Sequence, residues 1–347
     1  MSHSSVPQTI PLPFQLSRLL SSLWVPQAIY TAAALGIADA LADGPRTSAD
    51  VARSVGGDGE SVHRLLRGLV ALGLCDMADD GAFELTPLGG CLRSGTRDSV
   101  RSWALLMGSP MCWGSWGRLI DVVRSGESIP RLDGWGSAFD FRDTHPAEAA
   151  VFDQAMVELT RHLAGGIAAS YDFAGIRTLV DVGGGFGALL PPILAANPAL
   201  HGVVFDQPSC REGALRLFEK VGLADRCEFV DGDFFDAVTP AGADAYLLKS
   251  VIHDWDDAQC LAILRNVRAA MAPDSRVLVV EPIVPDRPGS SPYDLMIAGT
   301  DLNMMVMTGG KERTETEFRA LLEAAGLPVT RIVQTPATMS VIEARRA

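Results

Sequence analysis

Apolar and polar positions change rhythm about halfway along the chain. The first half keeps a helical spacing; in the second, short apolar runs alternate with helical stretches. Residues 11–41 read as two helices with Pro26 as the break between them, because a proline inside a helix removes a hydrogen bond and crowds the preceding turn. Leu16, Leu19, Leu20, Leu23 and Trp24, then Ile29, Ala32, Ala34, Leu35, Ile37 and Leu41, offer more apolar surface than one small domain needs. Part of it is expected to bury against a second copy. Residues 47–56 form a short helix capped at Thr47 and stopped at Gly56. A second helix follows, with Val62, Leu65, Leu66, Leu69, Val70 and Leu72 on one face. Residues 74–92 read as a two-stranded wing around Asp79-Asp80-Gly81. Together these make a winged-helix shape.

Residues 98–125 carry Trp103, Met107, Met111, Trp113 and Trp116 in an apolar helical region. Residues 134–144 read as a Gly/Asp-rich loop and hinge, and residues 146–171 as one long helix. From there the pattern is strand and helix in alternation. Residues 178–182 form a buried strand, and Gly183-Gly184-Gly185, Phe186 and Gly187 turn into a helix that starts near Leu189. Glycine accepts positive φ and lets a ligand lie against the backbone, and the helix presents free N–H groups to it. Further strands are expected at 203–206, 227–230, 243–248 and 276–280. Asp181, Asp206, Asp233 and Glu281 belong to four of these strands, and Lys249 and His253 follow the fourth, all at the edge where open parallel sheets bind ligands. Pro191-Pro192 sits in the helix after the glycine turn, which makes that helix start late or kink. Residues 327–333 and 338–344 are strands joined by four residues, too short for a parallel crossover, so they form an antiparallel hairpin.

Charge narrows the function. A net charge of −13 argues against nucleic acid, whose partners are basic, and this turns the winged helix from a DNA reader into a dimerisation module. No apolar run is long enough to span a membrane, and the first eight residues lack a basic leader. Six scattered cysteines without C-x-x-C fit free thiols in a reducing cytoplasm better than disulfides or zinc. Gly183, Gly185 and Ala188 also fit a dinucleotide pattern, with Asp206 placed to bind ribose. The residues alone therefore leave open an NAD-dependent oxidoreductase, and a winged-helix regulator that senses a small molecule.

Six motifs in order decide between these: Asp-Val-Gly-Gly-Gly (181–185), Phe-Asp-Gln-Pro (205–208), Gly-Asp-Phe-Phe (232–235), Lys-x-x-x-His-Asp-Trp (249–255), Glu-Pro (281–282) and Gly-Gly-Lys-Glu-Arg-Thr (309–314). With them the chain closely resembles the plant-type small-molecule O-methyltransferases, the caffeic acid and acetylserotonin type, over nearly its whole length. The resemblance implies an α/β class I methyltransferase fold: a Rossmann-like sheet closed by the antiparallel hairpin, behind an N-terminal winged-helix dimerisation domain. Expected domains are 1–100 for dimerisation, 101–165 as a helical linker contributing to the acceptor pocket, and 166–347 for S-adenosylmethionine. Implied cofactor residues are Thr160, Asp181, Gly183, Gly185, Asp206 on the ribose, Asp233 and Phe234 on adenine, and Lys249. His253 is the implied general base, flanked by Glu281 and Glu312. Phe152, Met156, Trp255, Met304 and Met305 would wall the acceptor pocket, and Asn303 would bond an acceptor oxygen. The implied assembly is a homodimer, cytoplasmic, without metal. The composition suggests a GC-rich bacterial source, so the expected acceptor is a polycyclic or phenazine-like phenol of secondary metabolism.

The chemistry agrees. A phenol of pKa about 10 is ionised only to the order of 0.1% at neutral pH, so a neutral histidine, of ordinary pKa about 6.5, helps by taking the proton as attack proceeds. Attack on a sulfonium cancels charge, which a dry, apolar pocket favours. A metal would be the other route. Asp254, Asp256 and Asp257 are hard ligands close in sequence, but Asp256 also reads as a helix N-cap.

Overall fold

A computed structural model describes residues 10–336 and 338–347. Residues 1–8, where the sequence shows no basic run, lie outside them, as does Ala337. The chain forms two compact units that divide between Trp113 and Gly114.

In the first unit, helices Leu12–Ser21, Trp24–Leu35 and Ile37–Ala40 lead into Ser48–Val55 and Gly59–Ala71. Strands β1 (Cys75–Met77) and β2 (Phe83–Leu85) make the antiparallel wing. Pro26 is not the break expected from the sequence. It lies in the first turn of Trp24–Leu35, where a missing N–H costs nothing, and the helices part at Ser22 and Leu23. Thr47 and Asp58 cap their helices by accepting from the amides of Asp50 and Ser61. Leu66, Leu69, Val51, Ile37 and Phe83 fill the core. Leu12–Ser21 buries none of its residues, and Leu12, Phe14, Leu16, Leu19, Leu20 and Leu23 are exposed.

The second unit is built on a seven-stranded sheet. Its strands are β3 (Thr178–Val182), β4 (His201–Asp206), β5 (Cys227–Asp231), β6 (Ala245–Lys249) and β7 (Arg276–Glu281), followed after the short β8 (Ile283–Val284) and β9 (Arg313–Thr314) by β10 (Val329–Gln334) and β11 (Ser340–Arg345). The order is β10-β11-β7-β6-β3-β4-β5. β3 to β7 run parallel, while β11 is antiparallel to both β7 and β10, as the short connector required. Successive side chains alternate between the faces. Val180, Val182, Tyr246 and Leu248 pack with helices Asp257–Ala270 and Glu315–Ala324. Leu179, Val204 and Leu247 pack with Pro146–Ser170, Leu190–Ala196 and Arg211–Lys220 on the other side. Sheet order reverses at β3, which opens a crevice at the carboxyl ends of β3, β4 and β6.

One local expectation fails in part, and another is decided between its two alternatives. Residues 134–144 are only partly loop: Ser137 accepts from the Asp140 amide and starts a helix, Ala138–Thr144. The helix after the glycine turn begins at Leu190, the later start, so Pro191 and Pro192 fall in its first turn, where proline is tolerated. Among the described residues no helix is long and apolar enough to cross a membrane.

Candidate active site

The glycine turn continues from β3, where the Gly183 amide donates to Phe205 O at 2.8 Å. Gly183 and Gly185 take φ of 69° and 56°, in the left-handed region that favours glycine. A Cβ on Gly184 would stand 2.6 Å from the Asp181 carboxyl, so the turn and this buried acid require each other. Burial pushes Asp181 up to about 7, against the pull of Lys249. The carboxylate of Asp206 folds back over the same turn, accepting from the amides of Gly185 and Gln207, both at 2.7 Å. Burial raises its pKa, and those two amides oppose the rise.

Asp233, at the end of the third parallel strand, is exposed and accepts from the Phe235 amide at 2.8 Å. Phe234 lies against Gly183, 3.5 Å from where its Cβ would be. Lys249 Nζ donates to Thr160 Oγ1 at 3.2 Å, which joins two residues named separately from the sequence. Burial lowers the Lys249 pKa, with Glu281, Asp181 and Asp254 working against it.

His253 sits in a single 3₁₀ turn, Ile252–Asp254, that follows Ser250 at φ 54°. Such a short turn has few bonds of its own. Glu281, at the end of β7, supplies them: its Oε1 accepts from the amides of Val251 and Ile252 at 3.0 Å and of His253 at 3.4 Å. The imidazole is held by both expected glutamates, with Nδ1 at 3.0 Å from Glu312 Oε1 and 3.4 Å from Glu281 Oε2. Asp254 Oδ1 stands 3.9 Å from Nε2. Burial by itself would lower the His253 pKa, but Glu281, Asp254 and Glu312 outweigh it and push it up to about 10. Burial in turn pushes Glu281 up to about 7, against the pull of His253. The Oε2 atoms of Glu281 and Glu312 are buried without a hydrogen bond. His253, Glu281 and Glu312 each have a ligand atom within 4.8 Å of the others. The three aspartates weighed as metal ligands divide their work: Asp256 caps the next helix and Asp257 pairs with Lys311 and Arg313, while Asp254 stays beside His253.

On the acceptor side, Trp255 stacks on Phe139, with centroids 5.5 Å apart and planes 18° apart. Phe139 meets Phe152 edge to face at 6.3 Å, and the Arg142 guanidinium lies 3.6 Å from the Phe152 ring centroid. Met156, Met304 and Met305 are half-buried. The Asn303 side-chain oxygen accepts from the Trp116 indole at 3.1 Å.

Residues 116–328 match the family model of the O-methyltransferase domain, and residues 17–95 that of the O-methyltransferase dimerisation domain. The chain belongs to the O-methyltransferase family. It is 36% identical over 345 residues to the phenazine O-methyltransferase PhzM of Lysobacter antibioticus, covering 99% of each chain. It is 38% identical over 331 residues to a mitomycin biosynthesis 6-O-methyltransferase of Streptomyces lavendulae, covering 95% of this chain and 93% of that one. The crystal structure of human N-acetylserotonin methyltransferase in complex with SAM superposes with a TM-score of 0.89 at 29% identity, over 99% of this chain and 100% of that one.

For an O-methyltransferase of this kind the sequence reading missed Phe139 and Arg142, which stand among the expected acceptor residues. They lie in the segment read as loop. Ser137 three residues before Asp140 was the signal that a helix starts there.

Proposed function

We propose that this O-methyltransferase moves a methyl group from S-adenosylmethionine to a phenolic hydroxyl of a polycyclic aromatic acceptor, with His253 as general base. The observation that carries the reading is the 3.0 Å contact of His253 Nδ1 with Glu312 Oε1, which leaves Nε2 to meet the acceptor proton. The glycine turn fits the donor: nothing lies within 4 Å of a Cβ placed on Gly185, and a carboxylate closes each side of the turn. When bound, the donor supplies a methyl group on a sulfonium cation. Asp206 holds its ribose hydroxyls, Asp233 and Phe234 its adenine, and Gly183, Gly185, Thr160 and Lys249 its amino-acid end. Asp181 supports the turn through its packing on Gly184. Glu312 and Glu281 orient the imidazole and stabilise it once it has taken the proton. Phe152, Met156, Trp255, Met304 and Met305 wall the acceptor, and Asn303 bonds one of its oxygens. The phenazine and mitomycin enzymes to which the chain is similar support a polycyclic acceptor. We further infer a homodimer joined through the N-terminal unit, working in a reducing cytoplasm that keeps its six cysteines as thiols.

The test is His253→Ala. S-adenosylhomocysteine should still bind, by calorimetry, within about threefold, while turnover falls by roughly 10²–10⁴-fold. Near-normal turnover at neutral pH would remove the base assignment. A mass-shift screen against aromatic hydroxyls, amines and activated carbons then settles the acceptor atom.

A further inference from the structure

We propose that Arg313 is a positioning residue that sets the height of His253 in the active site. The sequence reading gave it no role beyond its place in a motif. It is fully buried, at 0% exposure, one residue after Glu312. Its Nη1 donates to Ile252 O at 2.9 Å and its Nη2 to Trp255 O at 3.0 Å, so one planar fork grips carbonyls on both sides of His253. Nη2 and Nε also reach Asp257 Oδ1, at 2.7 and 3.2 Å, which ties the fork to the start of helix Asp257–Ala270. Cys260 Sγ lies 3.2 Å from Ile252 O and 3.4 Å from Arg313 Nη2, completing the cluster.

Two further observations give the clamp a purpose. The turn that carries His253 has only two weak internal bonds, Asp254 N to Val251 O at 3.2 Å and Trp255 N to Ile252 O at 3.4 Å. Its amides are held by Glu281 from one side, and its carbonyls by Arg313 from the other. The backbone before Arg313 presses on the same turn, since a Cβ on Gly310 would stand 2.0 Å from His253 O. Glu312 and Arg313 are therefore one device: the glutamate fixes the imidazole, and the arginine fixes the backbone that bears it. The parallel pair β8 and β9 registers Ile283 with Arg313, which couples this device to Glu281 two residues before β8 begins. A lysine could keep the charge but not the fork, because an ammonium has no fixed geometry for two carbonyls.

The inference rests on His253 being the base. Should His253→Ala keep its turnover, that reading fails by itself; the tests here ask a separate question. Arg313→Lys is expected to lower kcat by about 10²-fold, the scale of an ångström-sized misplacement. KM for the donor, and S-adenosylhomocysteine binding by calorimetry, should move less than about threefold, because the cofactor edge is held by other residues. Guanidinium ion at millimolar concentration should restore part of the kcat of Arg313→Gly. Asp257→Asn breaks the ion pair and leaves the carbonyl bonds, so it should lower the melting temperature while kcat stays within about twofold. Unchanged kcat in Arg313→Lys would overturn the proposal. So would a loss that follows S-adenosylhomocysteine binding or the folded fraction, or an equal kcat loss in Asp257→Asn, since each leaves the arginine a structural role alone.

Discussion

His253 meets three carboxylates at once, and that crowding sets the pH at which it can work. Burial opposes its charged form, but Glu281, Asp254 and Glu312 prevail and push the pKa up to about 10. Below that pH the ring keeps its proton and cannot accept another, so kcat/KM, which reports the free enzyme, should climb on the alkaline side of neutrality. Glu312→Gln removes a neighbour that favours the imidazolium, so the midpoint should move to lower pH, by about one unit if the lost bond is of ordinary charge-assisted strength. A midpoint that stays or rises would show that Glu312 does not act on this ring. Convergence at this scale was legible where a residue lies in a motif whose partners lie in motifs too: His253, Glu281 and Glu312 were named and do come together. Arg313 was in view, but its reach to Ile252 and Trp255 depends on a fold that brings together positions 61 and 58 residues apart, and no spacing reports that.

Secondary elements were legible in proportion to how much local sequence decides them. The parallel strands were found because each is a short, mainly apolar run, and β4, β5, β6 and β7 end in a polar residue while β3 carries Asp181 one residue before its end. The terminal hairpin was found because four residues cannot cross a sheet. Errors fell where a local sign has two meanings. Pro26 marks either a break or a first turn, and the outcome depended on Ser22 and Leu23 parting the helices instead. Gly134 and Gly136 dominated a reading that overlooked the cap at Ser137. The hairpin itself is anchored at Glu343 in β11, which accepts from Tyr171 at 2.6 Å, Arg331 Nε at 2.8 Å and Thr330 Oγ1 at 3.0 Å. Burial alone would raise its pKa, but these donors carry it down to about 2. Because the folded value is depressed, the stabilisation is present above the ordinary value of 4.5 and disappears as pH falls toward 2. Glu343→Gln should thus cost about 2 kcal/mol in urea unfolding at pH 7. The gap from wild type should narrow steadily below pH 4.5. A gap that persists in acid would assign the loss to packing.

For the whole molecule, the question is what covers the first unit. Its leading helix exposes Leu16, Leu19 and Leu20, and the region matches a dimerisation domain. Replacing Leu16 and Leu19 together by glutamate should convert a dimer into a monomer in sedimentation, with far-ultraviolet dichroism of the remainder retained, because neither side chain contributes to the chain's own core. A dimer that survives both changes would place the interface elsewhere. The surplus of apolar residues was plain in the sequence; which of them stay uncovered was not, since helical spacing alone does not separate a face turned to its own core from one turned to another copy.

A helix that buries none of its own residues makes the chain sensitive to how many copies share the vessel. In a concentrated sample its leucines find shelter; in a dilute one they return to water, and the segment frays. A protease that cuts beside large apolar residues would then act as a meter of self-association, nicking the protein near Phe14 when it is scarce and sparing it when it is plentiful.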